Sequence, residues 1–258
     1  MQCQFIRNIE VITMADATEN PVNTENRAKV DEEVTFNENV WVKSVTLIVN
    51  LIVNVFIFLT IFVCFLYVTE SDITMDKLHI VLCVLGYQFF MWQGVMMMSK
   101  YNNWSLFIQP QLKQQIHGGI HTVSAVLVIV GTSLAMKDTK QHFATKHGIF
   151  GIAAFALCLI SLMNGALSMF GHRRSWSRGW MYTLRVFHYL TGIASLILAT
   201  GALCYGFQTP SFKDWTGRGE GVVLALVVMN WIITAVVALD FLIVLGTKLV
   251  IKLKNKEN

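Results

Sequence analysis

Histidine is the residue whose placement matters first in this chain. There are seven: His79, His117, His121, His142, His147, His172 and His188. Imidazole is a nitrogen donor to transition metals and changes charge near neutral pH. His79, His117, His147 and His188 each stand near the start of one of four successive apolar runs. The first and last apolar runs hold none. A lone histidine at a helix end is ordinarily an interfacial residue. Four placed alike on consecutive segments form a pattern, and an ionisable group inside a membrane is costly enough to demand a function.

The elements that must position them are long and apolar. Of 258 residues, 54% are hydrophobic and 14% charged, whereas soluble domains run near a quarter charged. Six segments match the roughly 20 residues needed to cross a bilayer, at about 42–68, 77–98, 116–136, 147–170, 182–205 and 219–247. Each reads as a helix, because an open strand edge cannot sit in hydrocarbon. The loops between them have 8 to 17 residues, so consecutive helices should be antiparallel neighbours. The expected fold is all-α: a six-helix transmembrane bundle spanning residues 43–250. Residues 1–42 are polar and acid-rich, lack the apolar core of a signal peptide, and read as a disordered cytosolic tail. Residues 251–258 read as a short basic cytosolic tail. No internal repeat stands out.

Composition excludes other classes. Cys64, Cys83, Cys158 and Cys204 lie inside apolar runs, where cysteine behaves as a small hydrophobe, so no disulfide framework is expected. The net charge of +4 comes without an aromatic-basic face, which argues against nucleic acid. Six spans put both termini on one side. That side collects 13 lysines and arginines against 6 on the other, leaving aside the distant Arg7. The excess marks it as cytosolic.

Antiparallel alternation turns the histidine pattern into geometry. His79 and His147 share the outer face, and His117 and His188 share the cytosolic face. Each pair could hold two imidazoles across a flat macrocycle, as haem iron requires of its axial ligands. Two such pairs give two haems stacked in the central four helices. Gly118 and Gly119 follow His117, Gly148 and Gly151 follow His147, and Gly192 follows His188. Glycine lets a bulky ring approach the backbone, and it serves helix–helix packing equally well.

The segments His117-Gly-Gly-Ile-His121, Lys146-His147-Gly148 and Phe187-His188-Tyr189-Leu190-Thr191-Gly192 resemble the cytochrome b561 family, over roughly residues 43–250. The resemblance implies two b-type haems per chain, ligated by His79 with His147 and by His117 with His188, with His121 accessory. It implies electron transfer from cytosolic ascorbate to ferric iron or monodehydroascorbate outside. The Leu-Leu-x-Tyr-Arg stretch of better-known ascorbate-using members has no counterpart in residues 99–105, Ser-Lys-Tyr-Asn-Asn-Trp-Ser. This leans toward the short, domain-only branch.

Substrate contacts are expected at Lys113, one turn before His117, and at Arg178 beside Arg173 and Arg174 on the cytosolic face. On the outer face the candidates are His142 and Lys146. The plainer accounts are an ordinary loop histidine and topology-setting cations. Asn164 and Asn230 read as interhelical hydrogen-bonders, and Met96, Met97 and Met98 as apolar filler. A homodimer is compatible with these features; the choice between endomembrane and plasma membrane stays open. Two other readings compete: a haem-bearing anchor subunit of a larger redox complex, and a haem-free small transporter or receptor.

Overall fold

A computed structural model describes residues 40–98, 102, 104–105, 107–138, 143–173, 176–217 and 219–257. Most of the segment expected to be a tail, up to residue 39, lies outside the described residues. The described residues are mostly helical, with no strand among them. We number the helices α1 (Val40–Thr69), α2 (Met75–Met97), α3 (Pro110–Asp138), α4 (Lys146–Arg173), α5 (Arg178–Phe207), α6 (Pro210–Trp215) and α7 (Glu220–Glu257). All but α6 are long and apolar enough to cross a membrane.

Each helix follows from its sequence. In hydrocarbon every backbone polar group must find its partner within the segment, and a helix does that locally. On α1, Ile48, Leu51, Val55, Phe58, Phe62 and Phe65 are exposed, an apolar stripe at spacings of three and four that would meet lipid tails. The opposite face buries Val53, Ile57, Thr60 and Cys64. The turn into α2 is closed by the Lys77 ammonium, which donates to the carbonyls of Val68 at 2.9 Å and Ser71 at 3.0 Å. Those carbonyls lie at and beyond the end of α1, where intrahelical partners run out.

The helices associate as two hairpins. α4 packs along most of α5, α2 packs along α3, and the two hairpins meet through α3 with α4 and through α2 with α5. α1 rests on α2, and α7 closes the bundle against α5 and α1. Three features exceed the sequence reading. α7 runs to Glu257, so residues 251–257, read as a tail, continue the helix; no proline or glycine follows Gly246 to stop it. The short α6, opened by Pro210 at its first turn, tucks Phe212 against Tyr67 with ring centroids 5.2 Å apart. Finally, α2 is π-helical over Val84–Met91.

A polar chain ties the outer helices to the centre. Gln88 on the π-helical stretch donates to Asn230 Oδ1 of α7 at 2.8 Å. Asn230 Nδ2 donates to Thr60 Oγ1 of α1 at 3.2 Å. The Thr200 hydroxyl on α5 meets that of Thr234 on α7 at 2.8 Å. All five residues are buried. Asn230 thus does what its position in a span suggested, whereas Asn164 Nδ2 is buried with no partner among the described residues. Replacing Asn230 by leucine strands Gln88, and the unpaired amide should cost about 1–3 kcal/mol. Denaturant titration in mild detergent should show that loss; unchanged stability would mean the chain carries no net weight.

Candidate functional site

The structure brings the four span histidines together in two pairs, each drawing one residue from each hairpin. His79 on α2 faces His147 on α4, with ring centroids 6.1 Å apart and planes at 87°. His117 on α3 faces His188 on α5 at 6.0 Å and 87°.

Each ring is aimed by a carbonyl of the neighbouring helix in its own hairpin. His79 Nδ1 donates to Gly131 O at 2.9 Å and His117 Nδ1 to Gly94 O at 2.8 Å. His147 Nδ1 donates to Ala202 O and His188 Nδ1 to Ser161 O, both at 2.8 Å. A carbonyl oxygen only accepts, so each Nδ1 carries the proton and each Nε2 keeps its lone pair. A neutral imidazole braced in this way is the form that ligates metal, with the second partner setting tautomer and ring orientation.

The separations suit a shared atom. A metal–nitrogen bond of about 2.0 Å on each side, with about 1.1 Å from Nε2 to the ring centre, sets axial imidazole centroids about 6.2 Å apart. Among the described residues no three or more His, Cys, Asp or Glu side chains converge as a metal site. Two imidazoles at this separation fit a flat macrocycle whose central metal takes a donor from each side.

The surroundings fit such a group. A Cβ at half-buried Gly118 would meet nothing within 4 Å, and one at half-buried Gly151 would only touch Ala202 Cβ at 4.0 Å, whereas the space beside Gly119 is at the exposed surface. Gly148 and Gly192 have nearer neighbours, Thr145 Oγ1 and Ser161 Oγ. Near the His117–His188 pair, His121 Nε2 is buried with no partner among the described residues, its ring 4.3 Å from that of His117. Sequence reasoning missed Gly94, Gly165 and Gly206. A Cβ at Gly94 would lie 2.7 Å from His121 Nε2, one at Gly165 3.0 Å from His188 Cε1, and one at Gly206 3.6 Å from His147. The four carbonyl braces have no signature in the sequence, since any residue supplies one.

The two pairs lie at different depths. His117 and Gly131, which braces the other pair, are 14 residues apart on α3, or about 21 Å along the axis. That separation is shorter than the roughly 30 Å thickness of a hydrocarbon layer.

The family model of eukaryotic cytochrome b561 matches residues 78–213, a stretch that holds both pairs and all four braces. The chain belongs to the cytochrome b561 family. It is therefore a multi-pass membrane oxidoreductase of a family that binds haem b and transfers electrons across membranes. Among curated proteins, no relative matches it.

Lys113 is buried at 3% exposure in the first turns of α3. Lys146 is exposed, its ammonium 5.8 Å above the Tyr205 ring. His142 and Arg174 lie outside the described residues, as do the side chains of Arg173 and Arg178. A methyl group tests the packing of the pairs. Gly94→Ala forces carbon against His121 beside His117, an overpacking that costs about 1–3 kcal/mol; haem per chain should fall. Gly148→Ala, where the new atom meets a threonine hydroxyl at 3.3 Å, should leave pigment unchanged. Equal pigment in both variants would place His121 outside the binding region.

Proposed function

We propose that this chain binds two haem b groups, one between His79 and His147 and one between His117 and His188, and that it carries electrons from cytosolic ascorbate to ferric iron or monodehydroascorbate on the other side. The observation that supports this most directly is the repeated pair geometry, two imidazoles about 6 Å apart with each Nδ1 already tied to a carbonyl. Haem held by these histidines would supply a one-electron carrier suited to electron transfer.

The residues of the chain do the rest. The four histidines fix the group at both depths, and the carbonyl braces keep their Nε2 atoms unprotonated. Ascorbate gives up one electron and a proton to become monodehydroascorbate, and the outer acceptor takes one electron, ferric iron becoming ferrous. The His117–His188 end faces the cytosol, following the excess of positive residues there. Lys113 and Arg178, both near this end in sequence, receive the anionic donor. Lys146, exposed at the start of α4, and His142, four residues before it in sequence, receive the acceptor. The exposed Lys146 raises the local concentration of anions on its side, an effect that salt screens.

Replacing His117 or His188 by alanine should remove about one haem per chain and leave the other spectrally intact, and His79 or His147 should do the reverse. Loss of the same haem in His79 and His117 variants would overturn the pairing. A haem-free wild-type chain would overturn the two-haem reading altogether. Proteoliposomes loaded with ascorbate, with ferricyanide or ferric citrate outside, test the direction. External reduction is expected, and its rate should drop with salt. Reduction driven only by another internal donor would replace ascorbate and keep the route.

A further inference from the structure

The spacing between each histidine and the brace on its own helix is almost constant. On α3, His117 and Gly131 are 14 residues apart; on α4, His147 and Ser161 are 14 apart; on α5, His188 and Ala202 are 14 apart. On α2, His79 and Gly94 are 15 apart. The odd residue matters because an α-helix turns about 100° per residue. Fourteen residues bring the chain to within about 40° of whole turns, and a fifteenth swings it on by about 100°. A regular α2 that aimed His79 at Gly131 would turn the Gly94 carbonyl away from His117. Yet both bonds are made, at 2.9 and 2.8 Å.

The π-helical stretch Val84–Met91 lies between those two positions. A π turn closes its hydrogen-bonded ring one residue later than an α turn, so one such turn takes up a single extra residue. The described long helices other than α2 carry no π segment. We infer that α2 holds one residue more than its three partners need, that the π turn at Val84–Met91 absorbs it, and that this turn is the positioning device through which one helix serves both histidine pairs.

Two side-chain hydrogen bonds among the described residues hold the turn. Gln88, 3% exposed, reaches Asn230 of α7. The Gly86 carbonyl accepts the Ser124 hydroxyl of α3 at 2.8 Å. A Cβ at Gly86 would lie 2.6 Å from Val128 Cγ2, so α2 approaches α3 closely just where the turn widens it. Gln88 is thus a positioning residue: its amide bonds to Asn230, and it anchors the segment that sets the register of the histidine pairs.

The inference rests on the two-haem reading for its pigment readout, and a second readout stands without it. Deleting Leu85 from the π turn shortens the His79–Gly94 spacing to that of the other helices. Both pairs should survive: about two haems per chain, and ring-nitrogen NMR showing His79 and His117 still protonated and hydrogen-bonded at Nδ1. Deleting the exposed Val126 from α3, which has no surplus residue, should break one of the same two bonds and remove about one haem. If the Leu85 deletion lost a bond or a haem as the Val126 deletion does, the inference would be wrong. If wild-type chain proved haem-free, the two-haem reading would fail, and the NMR comparison would still decide the register claim. Gln88→Leu guards against a Leu85 deletion that fails to fold. It should retain haem but change the low-spin paramagnetic signal, which reports the angle between axial imidazole planes; an unchanged signal would remove Gln88 from the positioning role.

Discussion

The architecture depends on one constraint: a histidine inside the membrane must have its Nδ1 satisfied by something other than water. Here a backbone carbonyl of the adjacent helix does so four times. A helical carbonyl already accepts its own intrahelical bond, and its second lone pair is free to accept another. The arrangement consumes no side chain and buries no unpaired charge. It requires instead that the two helices of each hairpin hold a fixed axial register, because each brace is a single atom. The close α4–α5 contact and the tight α2–α3 approach at Gly86 and Gly131 serve that requirement.

Helices in lipid gain little from the hydrophobic effect, since lipid tails are as apolar as leucine. Register must come from close packing and polar contacts. Thr60, Gln88, Asn230, Thr200 and Thr234 supply the polar part. They join α1 and α7, which carry no candidate ligand, to α2 and α5, which do. The flanking helices are thereby more than a coat against lipid. They hold α2 from its outer side, where α3 cannot reach.

Much of this was legible in the sequence. Run length and the scarcity of charge gave six spans, because a membrane helix has only one way to satisfy its backbone. The alternation of His79, His117, His147 and His188 indicated which rings share a face, since antiparallel order fixes that. Other features were beyond it. The braces at Gly131, Gly94, Ala202 and Ser161 are backbone atoms and carry no residue preference. The π turn falls in an apolar stretch, Val-Leu-Gly-Tyr-Gln-Phe-Phe-Met, whose composition suits an α-helix equally. Short α6 hides behind the expectation that polar stretches between spans are loops, although Thr209 and Pro210 mark its start. The absence of an obvious repeat in the letters conceals a repeat in the structure, two hairpins that brace their histidines in the same crossed pattern.

That crossed pattern separates preparation from completion. Both histidines of a hairpin are oriented by the hairpin itself, whereas each pair needs one ring from each. On the proposed ligation, a group seated between His79 and His147 and another between His117 and His188 would rivet the two hairpins together at two depths. Pigment uptake and the docking of the hairpins are then one thermodynamic event: whatever loosens the seam weakens both attachments, and each attachment tightens the seam for the other. A chain missing one rivet would keep a seam fastened at a single level, free to splay at the opposite surface of the membrane.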